Sequence, residues 1–231
     1  MTDSPDELRR RRIRSFVKRP GRVTEGQRRA FQHLWPKYGL LTDGKALDLA
    51  EVFGRAAPCV LEIGYGNGDS LAAQASTERD HNFLGIEVHE PGIGHCMIAG
   101  EEAELGNLRL LAEDAIDVLA KSIAPEALSR INLYFPDPWP KKKHHKRRIV
   151  GEPFLSLAAR ALCTGGRLHI ATDWAPYAEH IDETMAACTL FKQLERTLHD
   201  GDKPIARITT KFERRGLKLG HRIVDWVFEK A

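Results

Sequence analysis

The sequence predicts an α/β fold, a doubly wound, mostly parallel seven-stranded sheet with an antiparallel edge hairpin at the C-terminus. Two patterns predict it. From about residue 58 the chain alternates short apolar runs with helical stretches, the spacing that βαβ crossovers need. After Leu190 the helices stop, and two strand-like runs follow with no long helix between them, as an edge hairpin requires.

Taken in order, residues 1–22 read as a flexible basic arm and residues 24–55 as helices leading into the first strand, with Thr24 a helix N-cap. Strands are expected at Cys59–Ile63, Phe83–Val88, Leu108–Leu111, Ile131–Phe135 and Arg167–Thr172. Helices are expected between them, over roughly 69–78, 93–105, 114–121, 152–162 and 175–188. The hairpin is Phe191–Leu198 and Arg222–Glu229, bridged by an irregular segment at 200–220, and residues 23–231 make one domain.

A net charge of +3 hides a strong asymmetry. Residues 1–22 carry +5, residues 141–148 carry +6, and the remainder sums to −8. Local cation density is what neutralising phosphates demands, so the distribution points to a polyanion. For Arg9–Arg12 a merely solvated arm is an equal reading. No apolar run is long enough to span a membrane, and the charged N-terminus is no signal peptide. Cys59, Cys96, Cys163 and Cys188 form no C-x-x-C pair and read as small hydrophobes in a reducing cytoplasm.

The stretch Tyr134-Phe135-Pro136-Asp137-Pro138-Trp139-Pro140 sets one carboxylate in a proline-bracketed aromatic turn and runs into Lys141-Lys142-Lys143-His144-His145-Lys146-Arg147-Arg148. Proline fixes φ and removes donors, so neither helix nor central strand continues, and Asp137 and Trp139 are held at a strand end. A lone Asp-Pro is also a common turn, and Trp139 is open between stacking on a base and covering the core edge. His144 and His145 make no metal site, because adjacent histidines point apart and no Cys or acid accompanies them; no metal is expected.

A second motif is Glu62-Ile63-Gly64-Tyr65-Gly66-Asn67-Gly68-Asp69, a strand entering a glycine-rich turn and then a helix. Gly64, Gly66 and Gly68 let the backbone approach a ligand, and Glu87 ends the next strand where it can accept from ribose hydroxyls. The spacing is G-x-G-x-G, not the dinucleotide fingerprint, and Glu62 beside the turn would repel a pyrophosphate yet suit an ammonium or sulfonium. S-adenosyl-L-methionine has that charge pattern and NAD does not. Asp114 either caps a helix or meets the adenine end, and Asp173 either caps the helix near Ala175 or joins the ligand edge.

Together, Glu62–Gly68, Gly85-Ile86-Glu87-Val88, Phe135–Lys141, Ala171-Thr172-Asp173-Trp174 and Thr210–Gly216 closely resemble the bacterial tRNA (guanine-N7-)-methyltransferase family, as does the N-terminal Arg14-Ser15-Phe16-Val17 with Gly21-Arg22 and Gly26-Gln27. The resemblance runs in order from about residue 13 to the end. It implies a class I, Rossmann-like methyltransferase that forms 7-methylguanosine in the variable loop of tRNA, in the cytoplasm. The family's cofactor acids fall on Glu62, Glu87, Asp114 and Asp137, and its catalytic aspartate on Asp137. Its substrate contacts fall on Lys141, Asp173, Thr210, Lys211, Phe212 and Glu213, and its RNA-contacting segment on Lys143, His144, His145, Lys146, Arg147 and Arg148. Without the resemblance, Thr210–Glu213 reads as an ordinary hairpin loop. A small-metabolite methyltransferase would not need the basic run, a relict RNA-binding fold would not keep every acid, and no obligate protein partner is evident.

Overall fold

The computed structural model describes residues 13–17, 21–199, 208, 210, 213, 216 and 220–231. Helix α1 (Glu25–His33) starts on a reciprocal box: Thr24 Oγ1 accepts from the Gln27 amide at 3.2 Å, and Gln27 Oε1 accepts from the Thr24 amide at 2.8 Å. The expected cap is therefore present. Helix α2 (Trp35–Tyr38), strand β1 (Gly39–Leu40) and helix α3 (Leu49–Phe53) follow.

The βα alternation then runs β2 (Cys59–Ile63), α4 (Asp69–Thr77), β3 (Asn82–Ile86), α5 (Glu90–Glu102), β4 (Leu108–Leu111), α6 (Ala115–Lys121) and β5 (Leu128–Tyr134). A six-residue 3-10 helix, Lys142–Arg147, leads to α7 (Glu152–Ala161), β6 (Leu162–Thr172), α8 (Ala175–Ala186), β7 (Phe191–His199) and β8 (Ile223–Lys230).

The sheet has eight strands in the order β1-β4-β3-β2-β5-β6-β8-β7, not the seven expected. The extra one, β1, pairs in parallel with β4 through Gly39–Leu110 and Leu40–Leu111. Two residues carry no readable period, so this strand was invisible in a segment read as helical. The hairpin is as expected: β8 pairs antiparallel with β6 and β7 antiparallel with β8. Strand β6 begins five residues before the expected Arg167, with Gly165 at φ 72° in an irregular stretch between two pairings. Helix α5 starts earlier than expected because Pro91 occupies its first turn, where proline's missing donor costs nothing.

Helices cover both faces. Val60 and Phe83 pack with α1, α2, α4 and α5, whereas their neighbours Leu61 and Leu84 pack with α3, α6, α7 and α8. On the α4 side beyond β2 the strands instead carry Arg130, Asn132, Tyr134, Arg167, His169 and Asp225 in register. Tyr134 and His169 share a 3.0 Å hydrogen bond, and His169 lies 2.9 Å from Asp225, which also faces His199 at 3.4 Å. This polar network crosses four strands and ties the edge hairpin to the sheet centre.

Candidate active site

Five adjacent parallel strands deliver the candidate acids to one edge. In spatial order Asp114 follows β4, Glu87 follows β3, the glycine turn follows β2, Asp137 follows β5 and Asp173 follows β6. The order reverses at β2, whose neighbours are β3 and β5. A crevice opens at such a switch point, outside the carboxyl ends of the strands.

At the turn, Gly64, Gly66 and Gly68 have φ of 72°, 62° and 80°, a region closed to most side chains. Among the described residues nothing lies within 4 Å of where a Cβ of Gly64 would sit, so the turn leaves open space for a ligand. Glu87 holds the turn: Oε2 accepts from the Gly66 amide at 3.0 Å, and Oε1 accepts from the amides of Val88 at 2.6 Å and His89 at 3.0 Å. It thereby also satisfies donors at the start of α5.

Beside it, Arg14, Phe16, Leu41–Gly44, Val88 and Ala112–Asp114 line a cleft of about 480 Å³. The unexpected strand β1 is what brings Leu41–Gly44 to this wall. Thr42 donates from its amide and hydroxyl to Glu113 at 3.2 and 2.9 Å, fixing that wall to the loop after β4. Asp114 does cap a helix, accepting from the Ile116 amide at 3.0 Å, and it also lines the cleft. Its two readings are compatible.

Glu62 is only 2% exposed and lies below the turn. Its Oε2 accepts from Gln74 Nε2 at 3.0 Å, and Gln74 Oε1 accepts from Asn132 at 3.2 Å. Tyr65, also buried, has its pKa pushed well up, first by burial and then by the charges of Cys96, Glu87 and Glu62.

Asp137 is exposed on a turn whose flanks are strained. Phe135 has φ 50° and Trp139 φ 45°, left-handed conformations that cost about 1–3 kcal/mol each and persist only where surroundings enforce them. The Phe135 amide is tied to Ala171 O at 2.8 Å. Arg148 Nε donates to Pro138 O at 3.1 Å, its Nη1 to Pro176 O at 3.4 Å, and its guanidinium lies 5.0 Å from the Tyr177 ring centroid. Trp139 Nε1 donates to Ser15 O at 3.0 Å, and Arg147 stacks 5.0 Å over its ring. Lys141, Lys142, Lys143, His145 and Lys146 project from the 3-10 turn as exposed residues. Desolvation first, then Lys143, Arg147, Lys141 and Lys146, hold His144 below the ordinary imidazole value.

Asp173 does not cap α8. The capping position is Trp174, without a side-chain bond, while Asp173 Oδ2 sits 3.2 Å from His221 Nδ1. Thr210 and Glu213 form a reciprocal pair: the Thr210 amide donates to Glu213 Oε2 at 3.1 Å, and the Glu213 amide to Thr210 Oγ1 at 3.2 Å. Lys211 and Phe212, and the arginine run at 9–12, lie outside the described residues.

With this geometry established, a family model described as "Putative methyltransferase" matches residues 56–226. A tRNA (guanine-N(7)-)-methyltransferase of Alcanivorax borkumensis is 51% identical over 220 residues, covering 95% of this chain and 92% of the relative. Those of Sodalis glossinidius and Escherichia coli are 48% and 47% identical, each over 96% of this chain and 92% of their own. The chain belongs to the tRNA (guanine-N(7)-)-methyltransferase family. The fold is also that of a solved 16S rRNA (adenine(1408)-N(1))-methyltransferase from Catenulisporales acidiphilia, with a TM-score of 0.58 at 16% identity over 83% of this chain and 96% of that one. TrmN from Thermus thermophilus gives 0.55 at 19% identity, over 79% of this chain and 47% of that one.

In this member of the tRNA (guanine-N(7)-)-methyltransferase family, reading by residue type missed Gln74, which donates to Glu62, and Asn132, which donates to Gln74. A signal was there: each is a lone polar residue in an otherwise apolar run, and Asn132 pairs with Glu62 across the strands. It also missed the T-x-x-E box of Thr210–Glu213, a recognisable capping signature. The four cysteines are free thiols, with Cys59 pushed up to about 12 by burial. Among the described residues no group of three or more His, Cys, Asp or Glu could hold a metal, and no helix is long and apolar enough to cross a membrane.

Proposed function

We propose that this protein methylates N7 of a guanine in the variable loop of tRNA, forming 7-methylguanosine. The observation that carries the reading is the placement of Asp137 on a strained aromatic turn between the glycine crevice and an exposed basic helix.

The crevice suits S-adenosyl-L-methionine. The space over Gly64, the carboxylate of Glu87 at the rim and the cleft reaching Asp114 offer an open backbone, a ribose acceptor and room for a purine. Glu62 adds negative charge beneath the turn. When bound, this cofactor supplies an electrophilic methyl group on a sulfonium.

Guanine N7 has an exposed lone pair and no proton to lose, so alignment matters more than a strong base. Asp137 accepts from guanine amide or amino hydrogens and stabilises the positive charge that develops on the purine. Asp173, Thr210, Lys211, Phe212 and Glu213 shape the guanine side, Lys141 meets the substrate nucleotide beside them, and it shares the phosphate contacts with Lys142, Lys143 and Lys146. Residues 23–231 act as one methyltransferase unit, with the 1–22 arm adding cations, in the cytoplasm where tRNA is found.

The test is label transfer from S-adenosylmethionine to unmodified tRNA, with nucleosides identified after digestion. Label in 7-methylguanosine is expected, and Asp137→Asn should lower kcat by about 10²-fold. Label in another nucleoside removes the specificity, and a near-wild-type rate for Asp137→Asn removes its role.

A further inference from the structure

Trp139 has an indole committed to a segment 124 residues away in sequence. Its Nε1 donates at 3.0 Å to the carbonyl of Ser15, and Ser15 sits between Arg14 and Phe16. Both of those neighbours line the cleft, together with Val88, Ala112 and Asp114. One hydrogen bond therefore runs from the Asp137 turn to a wall of the cleft beyond β3 and β4.

Among the described residues, burial does little to hold the ends of the wall segment. Ile13 is 46% exposed and Val17 is 51% exposed, so neither is anchored by burial. Within it, the Arg14 guanidinium lies 5.8 Å from the Phe16 ring centroid, a contact internal to the segment. On the other side, Trp139 itself is well fixed. Its left-handed backbone aims the indole, and Arg147 stacks on the ring. A rigid donor thus meets a segment whose two ends are exposed.

We propose that Trp139 is a positioning residue for the cofactor: its indole N–H latches the Ile13–Val17 strap across the adenine end of the cleft and so slows cofactor escape. The latch rests on the reading of the cleft as the S-adenosylmethionine site. It also accounts for a tryptophan at this position: phenylalanine would offer Arg147 a ring but no donor to Ser15.

The test is calorimetric titration of S-adenosylhomocysteine, which needs neither tRNA nor turnover. Trp139→Phe keeps the ring and deletes the donor, and loss of one such bond corresponds to a Kd raised about three- to tenfold. Phe16→Ala, in the half-buried middle of the strap, should raise Kd as well. If both act through one closed strap, the double variant is no weaker than the weaker single variant. In steady-state assays the KM for S-adenosylmethionine should rise while that for tRNA holds, a split that general loosening of the fold would not produce.

An unchanged Kd in Trp139→Phe, or losses that multiply in the double variant, would overturn the latch. Should Trp139→Phe not fold, an unchanged Kd in Phe16→Ala overturns it equally. Wild-type protein that binds S-adenosylhomocysteine but labels no tRNA would remove the substrate reading alone, and the Kd comparison would still decide the latch.

Discussion

Arg148 and Lys146 stand two residues apart in the same basic run, and both match the family's RNA-contacting segment. Their surroundings separate them. Arg148 donates to Pro138 O and Pro176 O and covers Tyr177, whose hydroxyl accepts from the Val150 amide at 3.3 Å. Lys146 is exposed. A lysine cannot reproduce a planar fork that bridges two carbonyls and lies on a ring. Arg148→Lys is expected to cost about 2 kcal/mol in urea unfolding and to lower kcat by loosening the Asp137 turn. Lys146→Gln should leave stability within about 0.5 kcal/mol, weaken tRNA binding and reduce its salt slope by about one. Equal stability of the two variants would mean that Arg148 does not clamp the turn. Sequence alone could show that this run is basic and next to a rigid carboxylate. It could not show which cations face inward, because that depends on contacts with Pro176 and Tyr177 from elsewhere in the chain.

The central parallel strands were legible because they are short, mostly apolar and largely buried runs: β2 and β3 are buried at every position. Candidate acids follow from those strands, since a carboxylate just past a parallel strand falls on the ligand edge wherever the sheet is open. Short or interrupted elements were not legible. Strand β1 has two residues, and the early half of β6 passes through Gly165 and Gly166. The polar tie between α8 and the hairpin was equally hidden, because it converges on one side chain. Asp182 accepts two bonds from Arg196 at 3.1 and 2.9 Å and one from Trp226 Nε1 at 2.8 Å. Burial alone would raise its pKa, but the bonds from Arg196 and Trp226 outweigh it and hold the carboxyl below its ordinary value. A depressed folded-state pKa contributes stability that is present above the unfolded value of about 3.9 and is lost as pH falls through the folded value. Both partners are partly exposed, so Asp182→Asn should cost only about 1 kcal/mol at pH 7. In urea melts that gap should begin to close as the pH falls below about 4 and vanish only below the depressed folded-state value. A gap that stays constant with pH would assign the effect to packing rather than charge.

Charge is distributed across the molecule so that an acidic body carries its cations at the working edge. The 3-10 helix Lys142–Arg147 follows the Asp137 turn directly, beyond the same strand ends as Glu87 and Asp114. Such an arrangement draws a polyanion towards the edge where the guanine must enter, which favours productive encounters over sheer affinity. Formal charge overstates its strength. Arg147 is stacked on Trp139 and Arg148 is bound to carbonyls, leaving Lys141, Lys142, Lys143 and Lys146 exposed. Four phosphate contacts predict a log–log salt slope of about −3 to −4, so tRNA affinity should fall about a hundredfold between 50 and 200 mM salt. Binding of S-adenosylhomocysteine should change by less than about twofold over the same range, because it releases no condensed counterions. Filter binding of tRNA and calorimetry of the cofactor product, run on the same salt series, separate the two. A tRNA slope near −1 would mean that the 3-10 turn is not the phosphate-binding surface, whereas a slope steeper than −5 would require phosphate contacts beyond this turn, with the cations of residues 1–22 the first to neutralise by substitution.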